Sequence, residues 1–230
     1  NKMIPKSFHL IRLGSKAPSA LENRCLEQLT QYTSLGWNVK IWHEADLQDC
    51  FKNKYFYEAL KLRSYAFAAD YARFYILNKY GGVYIDTDVE VVKDFSPLLH
   101  YSCFCASENI KNLRINAAVF GCEAHHPFCQ LILNDFNSRS PYKFKPIPDI
   151  LTTIYIKNRS LLESVHILPS EAFYPYNPFD SERPTKQLML RDITECTFSI
   201  HHWNFSWKTP TPKLLKLRRK ILNLFYKFTH

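Results

Sequence analysis

Tyr80-Gly81-Gly82-Val83-Tyr84-Ile85-Asp86-Thr87-Asp88 decides the reading of this chain. A helix-spaced segment, Arg63 to Tyr80, stops at the double glycine. A short apolar strand follows, and two carboxylates with one residue between them close it. Strand side chains alternate faces, so residues two apart point the same way, and Asp86 and Asp88 are expected to converge near the strand's end. Two hard oxygen ligands, with coordination positions left for water and phosphate, suit a Mg²⁺ or Mn²⁺ ion that holds a diphosphate.

Outward from that stretch, strands and helices alternate. Ile4 to Gly14 reads as a first strand, Pro18 to Leu35 as a helix stopped by Gly36, and Trp37 to Trp42 as a second strand. Leu47 to Leu60 has helical spacing. Val89 to Val92, Ser102 to Ala106, Ala117 to Phe120 and Thr197 to His201 are further strand candidates, with helices over Pro127–Asn137 and near Pro148–Lys157. The alternation predicts an α/β domain with a mostly parallel sheet, whose ligands bind beyond the carboxyl ends of the strands. Asp86 and Asp88 would sit there. Ser138 to Pro148 and Phe173 to Phe179 read as ordered loops, the first a candidate for acceptor contacts. One domain over residues 1–210, a hinge at Pro210-Thr-Pro212 and a tail over residues 211–230 complete the expected organisation.

A hydrophobic fraction of 46%, with 17 Phe and 14 Tyr, indicates a packed core, and five glycines without a repeat argue against solenoid or low-complexity chains. No run approaches the roughly 18 apolar residues of a membrane helix. Asn1-Lys2-Met3-Ile4-Pro5-Lys6 lacks an apolar core, so no signal peptide is expected. Seven cysteines include no CxxC pair, and Cys103-Phe104-Cys105 has the wrong spacing for zinc; they read as core thiols in a reducing compartment.

The net charge of +9 gathers at the C-terminus. Leu214, Leu217, Ile221, Leu224, Phe225 and Phe228 recur at three- and four-residue spacing, among Lys213, Lys216, Arg218, Arg219, Lys220 and Lys227 with no acid between them. Such a basic amphipathic helix suits an anionic membrane surface, or a place docked on the core with its basic face in water. No nucleic-acid-binding motif accompanies the charge, so no nucleic-acid partner is expected.

Between Ser64 and Asn78 the only charged residues are Asp70 and Arg73, three apart on one helix face. They form either a buried pair that fixes the helix or a grip on sugar hydroxyls. His201-His202-Trp203-Asn204-Phe205-Ser206-Trp207-Lys208 gathers imidazoles, indoles, a hydroxyl and an ammonium, donors suited to phosphate or Mn²⁺ as well as to a strand end with core aromatics. Asn116 offers a donor and an acceptor near a sugar, or merely makes a turn. His125-His126-Pro127 marks a loop before a helix.

These motifs resemble the bacterial glycosyltransferases of the sugar-binding Asp-X-Asp superfamily, glycosyltransferase family 32, and share a wider pattern with the glucosylating clostridial toxins. The matching residues are Ile4-Pro5-Lys6 with His9 and Gly14, Ala69-Asp70-Tyr71-Ala72-Arg73-Phe74-Tyr75-Ile76-Leu77, Gly81 to Asp88, and His201-His202-Trp203 with Ser206-Trp207. The resemblance implies a GT-A, Rossmann-like domain and a nucleotide-sugar donor, with UDP-hexose favoured, transferred with retention. It implies that Asp70 and Arg73 hold the donor sugar, that Asp86 contacts ribose and sugar, and that Asp88 coordinates Mn²⁺ or Mg²⁺, with Asp86 and His201 beside it. His201 or His202, with Ser206 and Trp207, would close over the phosphates, and Asn116 is kept as a donor-binding candidate on its own reading above. Leu10 and Arg12 lie on the strand that would cradle the base, Arg12 standing where the family often has Trp.

Two rivals stand beside this reading. Ile85 to Val89 also resembles the nucleophile strand of a haloacid-dehalogenase-type phosphohydrolase, although there the strand opens the domain and Thr or Val stands where this chain has Glu90. A non-catalytic glycan or nucleic-acid module is the other. The expected function is transfer of a hexose or N-acetylhexosamine to a lipid-linked intermediate of capsule, O-antigen or lipooligosaccharide. It would take place in the cytoplasm, with the tail on the inner leaflet of the membrane.

Overall fold

The structure, a computed structural model, describes residues 3–204 and 213–229. A six-stranded sheet runs in the order β2-β1-β3-β6-β5-β7. These strands are β1 Ser7–Ile11, β2 Asn38–Trp42, β3 Gly82–Ile85, β5 Cys103–Ser107, β6 Ile115–Cys122 and β7 Val165–Leu168. Only β6 runs against the others, being antiparallel to both β3 and β5. The mixed α/β architecture with a mostly parallel sheet is the expected one. A separate two-stranded antiparallel sheet pairs β4, Val89–Val91, with β8, Ser199–His201.

Two hydrophobic cores flank the main sheet, and strand alternation sorts residues between them. Phe8, Leu10, Val83 and Ile85 face one core with Trp37, Phe95 and Phe173. Ile11 and Tyr84 face the other, beneath the helices α2 (Lys54–Lys61), α3 (Tyr65–Tyr80), α4 (Pro127–Ser138) and α5 (Ile147–Lys157). The helix α1, Ala20–Thr30, starts at a Ser19–Glu22 capping box. It gives way to a 3-10 turn over Gln31–Leu35, stopped by Gly36 at φ 84°.

The segment read as one helix over Leu47–Leu60 is instead a 3-10 run, Glu44–Lys52, followed by α2. Asn53 stands between them and caps α2 by accepting from the Phe56 N–H. β7 was absent from the expected strands; its burial is incomplete and its apolar alternation covers only four residues.

The double glycine places the site. α3 ends at Gly81 with φ 65° and ψ −169°, and Gly82 follows at φ 106°, backbone that a side chain rarely adopts. A Cβ on Gly82 would lie 2.8 Å from His9 Nε2 and from the Ser7 carbonyl. His9 Nε2 donates to the Gly81 carbonyl at 2.9 Å while its Nδ1 accepts from Trp42 Nε1. That arrangement uses both ring nitrogens of a neutral imidazole, and burial keeps the His9 pKa below its ordinary value.

Six of the seven cysteines are buried as free thiols, and Cys196 is exposed. The Pro210–Pro212 hinge lies outside the described residues. The helix beyond it, α6, spans Lys213–Thr229. No helix among the described residues is long and apolar enough to cross a membrane.

Candidate active site

Asp86, Asp88 and His201 come together at the carboxyl end of β3. One ligand atom from each lies within 4.8 Å of the others, and this is the one such group of metal-ligating side chains found among the described residues. The cause of the convergence differs from the expected one. β3 ends at Ile85, and Asp86 to Asp88 turn, with the Val89 N–H bonding the Asp86 carbonyl at 3.1 Å. Strand alternation governs Tyr84 and Asp86, which share the face toward α3; the turn brings Asp88 back.

On that face the α3 pair is complete. Arg73 Nη2 meets Asp70 Oδ1 at 2.8 Å, and Arg73 Nη1 donates to the Ala117 carbonyl at 2.8 Å and lies 3.5 Å from Asp86 Oδ1. Its guanidinium stacks over the Tyr84 ring at 4.5 Å, and the Tyr84 hydroxyl donates to Asp86 Oδ1 at 2.8 Å. The Asp70–Arg73 pair is buried, as the first of its two readings has it, and it also lies against a carboxylate of the cluster. Burial pushes the Asp70 pKa up to about 7 against the pull of Arg73. Burial also opposes the charge on Arg73, yet Tyr84, Asp86 and Asp70 together hold its pKa above the ordinary arginine value.

β4 and β8 deliver the imidazole. Their register sets Val89 opposite His201, which places His201 Nε2 3.3 Å from Asp88 Oδ1. Asp88 Oδ2 accepts the Asn204 N–H at 2.7 Å. Burial works against the Asp88 charge, but His201 and Asn204 bring its pKa down to about 2. Burial likewise opposes a charged His201, and Asp88 outweighs it, so the His201 pKa is raised. Trp203, at φ 54° in the region bulky residues avoid, turns the chain back over Asp88. Its Nε1 donates to the Tyr176 carbonyl, and its ring lies 4.3 Å from His201.

Other expected contacts fall elsewhere. The Leu10 side chain is buried in the core on the opposite face of the sheet from Tyr84, so only its backbone remains for a ligand. His202 turns away from the cluster, its Nε2 2.7 Å from Glu90 Oε2; the adjacent residues His201 and His202 point apart because they end a strand. The Asn116 amide is engaged inside the protein, donating to Glu108 and accepting from the Ala118 N–H at 2.7 Å. Arg12 is half-buried just past β1. Ser206 and Trp207 lie outside the described residues. The 138–146 loop packs against the first turn of α3 through Phe144, stacked on Phe67 at 4.8 Å.

Several site residues escaped the sequence reading. Tyr84 carried a usable signal, standing two before Asp86 on one strand face. Glu22 carried none, because its acceptance of the Thr87 hydroxyl at 2.8 Å joins residues 65 apart.

The donor set fits a divalent cation. Two carboxylates and one imidazole suit Mn²⁺ or Mg²⁺, and His201 Nδ1 is buried without a hydrogen-bond partner among the described residues. Such an ion would supply positive charge to a bound diphosphate.

Residues 17–105 match the family model described as "glycosyltransferase sugar-binding region containing DXD motif". An uncharacterised glycosyltransferase of Acanthamoeba polyphaga mimivirus is 25% identical over 94% of this chain and 88% of its own length. The lactosylceramide 4-alpha-galactosyltransferase of Mus musculus is 30% identical over 59% of this chain, but the match spans only 40% of that protein. Among solved structures, the PaToxG glycosyltransferase superposes with a TM-score of 0.53 at 16% identity, covering 71% of this chain and 74% of that one. The fold is thus of GT-A type, and the chain is a glycosyltransferase. The phosphohydrolase and binding-module readings give way to it.

Proposed function

We propose that this glycosyltransferase moves a hexose or N-acetylhexosamine from a nucleotide sugar, UDP-linked, to a lipid-linked glycan, with retention of configuration. The observation that carries the reading is the junction of Asp86, Asp88 and His201 with the buried Asp70–Arg73 pair at one end of the sheet. Asp86, Asp88 and His201 would hold Mn²⁺ or Mg²⁺, which when bound offsets charge building on the departing diphosphate. Asp70 and Arg73 would fix the sugar hydroxyls, and Tyr84 would keep Asp86 turned toward them. In the transfer the bond from sugar to phosphate breaks, its electron pair leaves with the nucleoside diphosphate, and the acceptor oxygen bonds to the anomeric carbon. A same-face attack, with the departing phosphate taking the acceptor proton, accounts for retention without a protein nucleophile.

One observation favours a lipid-borne acceptor. The mouse relative is named for a glycosphingolipid. A cavity of about 570 Å³ opens past the ends of β5 and β7, at the same end of the sheet, between Ser107, Asn109 and Glu171, and would offer the acceptor's sugar a place whatever carries it. A bacterial surface polysaccharide or lipooligosaccharide intermediate would meet the same requirements.

A panel of nucleotide sugars incubated with Mn²⁺ tests the reading. Slow release of nucleoside diphosphate from one donor, lowered roughly 10²–10³-fold in Asp88→Asn, is expected. Release that is equal in the variant, or absent with every donor, would overturn it.

A further inference from the structure

A terminal helix normally turns its apolar stripe toward the core. α6 does the reverse. The side it lays against the protein carries Leu215, Arg219, Leu222, Asn223 and Tyr226, all half-buried. Arg219 sits over the Phe144 ring at 5.2 Å, the Ser140 hydroxyl donates to Asn223 Oδ1 at 2.7 Å, and Tyr226 meets the edge of Tyr142. The opposite side presents Leu217, Ile221, Leu224, Phe225 and Phe228 to solvent, with Leu217 55% and Phe228 86% exposed. Spacings of four, three and four residues from Leu217 to Phe228 make this one continuous stripe. Exposed Lys216, Lys220 and Lys227 border one edge and Arg218 the other, and the helix contains no acid.

We infer that this outward face of α6 seats on an anionic lipid bilayer. The apolar stripe would enter the acyl boundary while the flanking cations meet acidic headgroups. Charge selects this occupant over a second copy of the chain, because two such faces laid together would set cations against cations. The docked side fixes where the membrane lies. Phe144, under Arg219, stacks on Phe67 in the first turn of α3, and Asp70 is on the next turn. The bilayer therefore adjoins the end of α3 that carries the site. The inference stands on α6 alone and holds whichever sugar or acceptor the site takes.

Co-sedimentation with vesicles of phosphatidylcholine, with and without phosphatidylglycerol, tests it on the full chain. Binding to the mixed vesicles that weakens with salt is expected, with little binding to phosphatidylcholine alone. Leu217→Ser/Leu224→Ser/Phe228→Ser should lower binding roughly 100-fold. Lys216→Gln/Lys220→Gln/Lys227→Gln should lower it roughly tenfold or more and flatten the salt dependence. All six positions are exposed, and an unchanged circular dichroism spectrum verifies folding. Wild-type protein that stays off mixed vesicles at low salt would overturn the inference, as would serine variants that bind equally. A dimer in light scattering that the serine variant converts to monomer would overturn it too, by giving the stripe to a second copy.

Discussion

Arg73 is the residue on which the site's order depends. It touches two carboxylates and a backbone carbonyl from a buried position, so removing it leaves Asp70 uncompensated. Breaking a buried pair from one side costs about 3–5 kcal/mol, whereas replacing both members costs far less. Arg73→Met should therefore lower the urea stability by about that amount, and Asp70→Asn/Arg73→Met should recover part of it. Hydrolysis of the nucleotide sugar should stay lost in the double variant. A double variant that regained both stability and hydrolysis would confine the pair to a structural role. Asp70, Arg73, Asp86 and Asp88 stand out in the sequence because they are the charged residues of apolar stretches, and His201 because it opens a run of ligating side chains. The partners of His202 and Asn116 were not, since Glu90 and Glu108 reach them only through tertiary pairing. Isolated polar residues carry no mark in sequence of whether their hydrogen bonds are satisfied inside the protein.

Among the elements, the α3–β3 junction positions the rest. Gly82→Ala would force a side chain onto backbone at φ 106° and push its Cβ against His9 and Ser7. A loss of roughly 2–3 kcal/mol is expected, read as a lower urea midpoint; an unchanged midpoint would show that β1 and β3 yield to the added methyl. Most elements could be read from hydrophobic period and from glycine or proline punctuation. The 3-10 run before α2 could not, because short turns share the helical spacing of apolar residues. Nor did the sequence show which way α6 would face. Its two sides both carry leucines, and only the contacts with the 138–146 loop separate them.

For the whole molecule, acid sensitivity follows from two buried imidazoles. Burial lowers the pKa of His9 and lowers that of His126 from 6.5 to about 4. Each is neutral in the native state and takes a proton on unfolding below pH 6.5, so the stability these two contribute should fall as pH drops from 6.5 toward 4. His201 and Asp70, whose pKa values are raised, act in the opposite sense: each binds its proton more tightly in the native state, and that contribution is lost as pH rises. Urea midpoints across this range test the balance, and His126→Asn, which keeps an acceptor for the Phe128 N–H, should make the acid slope shallower. A slope unchanged in the variant would place the sensitivity elsewhere. The central claim is that two carboxylates from the turn after β3 and one imidazole from β8 hold one divalent ion. Titration of Mn²⁺ followed by the paramagnetic resonance of the free ion addresses it most directly, with a nucleoside diphosphate present. One bound ion in the wild type, lost in Asp88→Asn and weakened in His201→Ala, is the expected result. Equal binding in all three proteins, or none in any, would contradict the account.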